Sequence, residues 1–312
     1  MIHLNIMGGM GNQMFQYAFA RALSEKCGDK DIIIDPYFLT LIRISASQKA
    51  LKTANSLIHF RLNGNVRLAS KYRIYETFAS YISYVYNTFC VHMTPELFEK
   101  RSRKGIYLQS AKDSWMPVAK YATDSKNKIV TGYFGGEKWW ASDISGILRE
   151  EFRIREAPSK RNRVMIDRIS SCNSVCVHIR RGDYLIPQNA YLNICDERYY
   201  RTGMAYIAQR TQKPQFFVFT NSSNDVRWIR ENYKFDYPVN YVDLNNPDYE
   251  ELRLMYSCKH FVTCNSTFSW WGSYLSKNKD KIVVAPDRWN GLQNDTVSES
   301  IYRDDMIRLS VN

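Results

Sequence analysis

The chain has 312 residues, 45% hydrophobic and 24% charged, a composition that excludes a disordered or fibrous protein and suits two globular domains. Its 43 Lys and Arg outnumber 31 Asp and Glu, and the resulting net charge of +12 favours a phosphate-bearing partner without choosing between nucleic acid, nucleotide and anionic lipid. Seven scattered cysteines without a CxxC read as reduced thiols, neither a disulfide framework nor a zinc site, and neither a signal peptide nor a membrane-spanning apolar run is read, so a cytoplasmic location is expected.

Ile2, Leu4 and Ile6 alternate as in a strand ending at Met7. Gly8-Gly9-Met10-Gly11-Asn12-Gln13 follows, and Met14, Phe15, Ala18, Phe19, Ala22 and Leu23 then recur at helical spacing. A strand, a glycine turn and a helix in that order bring backbone close to a ligand and leave helix-start N–H groups for negative charge. The pattern is not GxGxxG, so a dinucleotide fingerprint is a poor match. Asn12 reads either as a helix cap or as a group facing a ligand. Asp29-Lys30-Asp31 precedes the strand expected at 32–34 instead of closing one, and it reads as a turn, not a metal site.

No acidic residue lies between Asp35 and Glu76, while Arg43, Lys49, Lys52, Arg61, Arg67, Lys71 and Arg73 alternate with Leu, Ile, Phe and Tyr. This stretch is either a solvated helical subdomain or a surface that rests on anionic membrane. The aromatics Tyr75, Phe78, Tyr81, Tyr84, Tyr86 and Phe89 that follow either pack or line an acceptor groove. After a strand at 128–134 and Trp139-Trp140, the charged stretch 149–163 with Pro158 and Ser159 marks a domain boundary, which divides the chain into 1–155 and 156–312.

The second half predicts strands near 175–179, 215–220, 239–243, 260–264 and 282–285 with helices between, the signature of a parallel, doubly wound sheet. The first of these is apolar and largely β-branched until His178, Arg180, Arg181, Gly182 and Asp183 crowd its end. Ligands of such sheets bind at strand ends, and adjacent arginines there predict an anion. Residues 260–264 lead into Asn265-Ser266-Thr267-Phe268, where hydroxyls and amides at a helix start either hold a phosphate or only cap the helix. Trp270 and Trp271 beyond read as core. A metal-free sugar-nucleotide transferase fits this constellation, because arginines and helix-start amides can stabilise a leaving phosphate.

HIRRGDY at 178–184, GGMGNQMFQYAFARAL at 8–23 and CKHFVTCNSTFSWWG at 258–272 closely resemble the α-1,2-fucosyltransferases of glycosyltransferase family 11. The resemblance implies an α/β GT-B fold, two Rossmann-like domains facing across a cleft, with 1–155 on the acceptor side and 156–312 binding GDP-β-L-fucose. It implies inverting transfer to the 2-hydroxyl of a terminal galactose on a bacterial glycan such as O-antigen, with no metal or other cofactor and no nucleic acid. Carried over by position, Arg180 becomes the contact to the β-phosphate, His178 a neighbour of the nucleoside, and Arg181 a support for the turn or the second phosphate. Gly11 and Asn12 face donor and acceptor, and Asn265, Ser266, Thr267 and the Phe268 backbone hold the phosphates. Glu251 stands where the family usually has an aspartate at the nucleoside. Asp183 is the candidate general base, or else it orients an arginine. A transferase of the same fold with another linkage or GDP-sugar is the nearer alternative, and a basic protein that binds nucleic acid or membrane without catalysis is the remote one.

Overall fold

The computed structural model describes residues 1–29, 31–45, 55–63, 65–69, 74–90, 94–109, 122–140, 142–292 and 298–311. Lys30, Lys49, Lys52, Lys71 and Arg73 of the basic stretch and the DxD lie outside them. The chain forms two units: 1–155 with 296–302, and 156–295 with 303–312.

The first unit runs β1 (Ile2–Asn5), α1 (Met10–Cys27), β2 (Ile32–Asp35), α2 (Tyr37–Ser45), β3 (Val66–Leu68), α3 (Ile74–Cys90), α4 (Pro95–Ser102), β4 (Ile106–Leu108), β5 (Lys128–Thr131) and α5 (Ser145–Glu151). Its sheet has the order β3-β2-β1-β5-β4, and each pairing is parallel. Parallel strands are covered by helices on both faces, which is why β2 is buried along its whole length. The strand predicted to reach Met7 stops at Asn5, because the Gln16 side chain captures both the N–H and the carbonyl of Met7, each at 2.9 Å. Helix α1 is buried on nearly every side, and its polar residues survive there by pairing. Tyr17 donates to Glu151 at 2.5 Å, and Arg21 Nε meets the other oxygen of that carboxylate at 3.0 Å. Tyr81 and Tyr84 of α3 sit edge-on to Phe38 of α2, so this part of the aromatic stretch packs, while Phe78 and Tyr86 face outward.

The second unit runs α6 (Lys160–Ser170), β6 (Asn173–His178), α7 (Glu197–Ala208), β7 (Pro214–Phe219), α8 (Ser223–Asn232), β8 (Val239–Tyr241), α9 (Asp248–Ser257), β9 (His260–Val262), α10 (Thr267–Leu275) and β10 (Val283–Pro286). The chain then enters the first unit as α11 (Ser298–Ile301) and returns as β11 (Met306–Leu309). The sheet order is β11-β10-β9-β6-β7-β8, again with parallel neighbours. Counted from β6 this is 3-2-1-4-5-6, the doubly wound order whose switch point falls between strands 1 and 4, here β6 and β9. Val175, Val177, Phe216, Val218 and Val262 meet Met204 and Ile207 of α7 in the core. Trp270 and Trp271 are fully buried, as the core reading requires.

The short strands β3, β4 and β11 were not anticipated. The charged stretch 149–163 also holds more structure than a linker. Helix α5 ends at Glu151, and Ser159 caps α6 by accepting from the Asn162 N–H at 3.2 Å. Both helices are amphipathic with few apolar residues, which hid them. The seven residues 296–302 follow the first unit although their position in sequence assigns them to the second.

Candidate active site

A cleft opens at the strand ends beside the β6/β9 switch point, lined by His178, Arg180, the 219–223 turn, the 242–248 loop, Glu251, Met255 and Phe268. Four of the residues singled out in the sequence therefore meet in one place: His178, Arg180, Glu251 and Phe268. His178 is 4% exposed, its Nδ1 lies 3.4 Å from Cys264 Sγ, and its ring is 6.0 Å from that of Phe268. Burial, aided by the nearby Arg180 cation, lowers its pKa from 6.5 to about 3, so the imidazole is neutral at physiological pH. Half-buried Arg180 donates from Nε (2.9 Å) and Nη2 (2.6 Å) to one carboxylate oxygen of Asp183, with the Tyr184 ring 5.6 Å away. Asp183 is thus engaged in holding Arg180, which favours the orienting role over the general-base role.

The neighbouring arginine points elsewhere. Arg181 lies 3.3 Å over the Trp228 ring, its Nε meets Asp225 at 3.2 Å, and its backbone N–H donates to Asn221 Oδ1 at 2.8 Å. Of its two expected roles, the structure supports the turn and not a phosphate contact. Asn265 departs further from expectation. Its amide nitrogen donates to the carbonyls of Leu192 (2.9 Å) and Trp289 (2.8 Å), so both donors are spent on joining loops. Its own carbonyl accepts from the Tyr184 hydroxyl at 2.8 Å, which ties the Arg180 turn to the end of β9. Ser266 caps α10 by accepting from Phe268 N–H at 3.3 Å, so the plain cap competes with a phosphate for that amide. Thr267 is the first residue of the helix and is half-buried.

The opposite wall is acidic. Asp243, Asp248 and Glu251 line it, and Glu251 has its pKa raised from 4.5 to about 7, mainly by burial, with the carboxylates Asp248 and Asp243 adding to the shift. A carboxyl whose folded pKa is raised stabilises the fold below its unfolded value, and this contribution is lost as pH rises through the folded value. Unliganded protein should therefore lose stability between pH 4.5 and about 7 through this group. Glu251→Gln is expected to flatten that part of the profile, which thermal melts across the range would register; an unaltered slope would mean that Glu251 is ordinary.

Sequence reasoning missed the loop walls at 219–223 and 242–248. The signal was present at the first, where β7 ends in Phe219 and a polar Thr-Asn-Ser-Ser turn opens α8, the same strand-turn-helix pattern read elsewhere in the chain.

In the first unit, the glycine turn follows β1 at the β1/β5 switch point. Gly9 is the cap residue of α1 and no side chain bonds there, so the cap reading of Asn12 is overturned: Asn12 lies in the first turn, as does buried Gly11. Gly8 has φ +72°, and a Cβ there would come within 2.6 Å of Asn12 Nδ2, so the glycine makes room for the asparagine side chain. Asn12 and Gly11 belong to the first unit and the cleft residues to the second. Among the described residues, no group of three or more His, Cys, Asp or Glu is gathered as metal ligands would be.

Two parallel, doubly wound units in one chain, the second bearing an arginine and a neutral histidine at its switch point, have the α/β architecture expected of the GT-B class. The profile of glycosyl transferase family 11 matches residues 119–310, more than half of the chain, and the protein belongs to that family. It is a glycosyltransferase. It is 29% identical over 310 residues to the Escherichia coli O-antigen biosynthesis glycosyltransferase WbnK, covering 91% of this chain and 93% of the relative. An Escherichia coli α-1,2-colitosyltransferase is 27% identical over 300 residues, with 91% and 90% covered. Galactoside α-(1,2)-fucosyltransferase 1 of Saimiri boliviensis boliviensis is 30% identical over 141 residues, 41% of this chain and 38% of its own. Among solved structures, an α-1,6-fucosyltransferase, NodZ, co-crystallised with GDP aligns over 87% of this chain and 91% of its own, at 12% identity and a TM-score of 0.46.

Proposed function

We propose that this glycosyltransferase moves L-fucose from GDP-β-L-fucose to the 2-hydroxyl of a terminal galactose on a bacterial glycan, with inversion and without a metal. The observation that carries the reading is Arg180 at the end of β6, on the cleft wall and held from behind by Asp183. Asp183 occupies Nε and Nη2, which leaves the Nη1 edge of the guanidinium for a β-phosphate oxygen. Neutral His178 and the acidic wall at Glu251 suit a nucleoside, whose N–H groups a carboxylate can accept.

In this reading the acceptor oxygen attacks the anomeric carbon from the face opposite GDP. The bond from that carbon to the β-phosphate oxygen breaks, and its electron pair stays with GDP. Arg180 stabilises the charge that grows there, and the acceptor oxygen gives up its proton to solvent on its own face of the sugar as the new bond forms, since Asp183 is engaged by Arg180.

A second reading keeps the linkage and changes the sugar: the relative named α-1,2-colitosyltransferase, alignable over 91% of the chain, favours another deoxyhexose on the same nucleotide. Purified protein given GDP-fucose and galactose-ended oligosaccharides, with chelator present, is expected to release GDP and form an α-1,2 linkage identifiable by NMR. Turnover confined to a different GDP-sugar would establish the second reading, and no turnover on any terminal galactose would overturn the acceptor.

A further inference from the structure

The first unit carries a second cleft, of about 470 Å³, beside the edge strand β3. Its floor is apolar, formed by Ile34, Leu57 and Phe60, all at most 2% exposed. Three arginines, Arg61, Arg67 and Arg155, line it from exposed positions. Two of them are fixed by one antiparallel bridge, Phe60 with Ile154, beside which Arg61 N–H donates to Arg153 O and Arg155 N–H to His59 O, each at 2.9 Å.

Eight described arginines elsewhere in the protein have a carboxylate partner within salt-bridge distance. Arg61, Arg67 and Arg155 have none among the described residues. The segment that forms most of the cleft cannot supply one, since no acidic residue occurs between Asp35 and Glu76. Three like charges around one cleft repel each other, and an anion in the cleft relieves that repulsion. The rim is also apolar: Ile58 is 49% and Leu68 54% exposed, both lining the same cleft. A phosphate joined to an apolar chain satisfies both features at once.

We propose that this cleft docks the protein on a bilayer, taking the headgroup phosphate of an anionic phospholipid between the arginines while Ile58 and Leu68 enter the acyl boundary. Single-stranded nucleic acid fits less well, because its binding calls for exposed aromatic faces on which bases stack, and the aromatic ring of this cleft, Phe60, is buried. The docking site lies wholly in the first unit and stands independently of the donor reading in the second.

Co-sedimentation with vesicles tests it, using phosphatidylcholine alone and phosphatidylcholine mixed with phosphatidylglycerol. The whole protein is expected to bind only the anionic vesicles, and less tightly as salt rises. The triple variant Arg61→Gln, Arg67→Gln, Arg155→Gln should bind about 100-fold more weakly, since each basic residue near an anionic surface is worth about fivefold. The pair Ile58→Ser, Leu68→Ser should weaken binding while leaving all charges in place. All five positions are exposed, so melting temperature and GDP binding should stay as in the unaltered protein. Equal vesicle binding by the triple variant, or equal binding to neutral vesicles, would overturn the proposal. Release of the protein by inorganic phosphate alone would assign the cleft to free phosphate, and tighter binding to single-stranded RNA than to vesicles would assign it to nucleic acid; either outcome defeats lipid docking.

Discussion

Arg180→Lys is expected to lower kcat by about 10² to 10³-fold, the usual cost of removing one preorganised donor from a developing oxyanion. The argument rests on geometry. The guanidinium bonds Asp183 through Nε and Nη2 and still presents a further N–H edge to the cleft. An ammonium at the same place keeps the charge but has no planar fork, so it cannot hold Asp183 along one edge and a phosphate along another. The contact strengthens as the phosphate gains charge, so kcat should fall more than donor affinity. Arg180 is partly exposed, and the melting temperature should move little. Near-normal kcat in the lysine variant would remove Arg180 from the chemistry.

Gly136→Ala is expected to cost roughly 3–6 kcal/mol of stability, combining backbone strain, a displaced hydrogen bond and lost apolar burial. Gly136 adopts φ +110°, a conformation that an alanine avoids, and a Cβ there would lie 1.9 Å from the Ser300 carbonyl oxygen. The obstacle is backbone, so α11 has to move away. That move breaks the Ser300 hydroxyl bond to Gly135 O, 2.6 Å in length, and uncovers Ile301, now 1% exposed. Denaturant titration measures the loss, and limited proteolysis should find new cleavage near 296–302. An unfolding midpoint equal to that of the unaltered protein would mean that α11 tolerates a side chain beneath it.

Much of the second unit could be read from its residues. The run from Val175 to Ile179 is apolar enough to be a buried parallel strand, and its abrupt polar end marks a strand end that holds a ligand, which the strand order then places at the switch point. The direction of its two arginines could not be read. Adjacent side chains at a strand end point to opposite sides, and the partners that decide between them, Asp225 and Trp228, stand more than forty residues away in α8. Asn265 misled for a related reason. An asparagine before a helix start resembles a ligand donor, and its engagement with Leu192 and Trp289 depends on where two distant loops return. Of the acidic wall only Glu251 was legible: the strand before Asp243 and Asp248 was expected, but where the loop after it turns depends on distant packing, which its residues do not encode locally.

The return of residues 296–302 to the first unit also sets a timetable for biosynthesis. Ile2 pairs with Lys128, so the centre of the first sheet waits for more than a hundred residues of synthesis. The slot beside Gly135 and Gly136 waits longer, until Ser300 and Ile301 arrive. At 5–20 residues per second, that delay is roughly 8–30 s of translation with an unfilled apolar groove on the nascent chain. The half that leaves the ribosome first thus stays incomplete until most of the other half has been made, and throughout that interval it is a natural client for a chaperone.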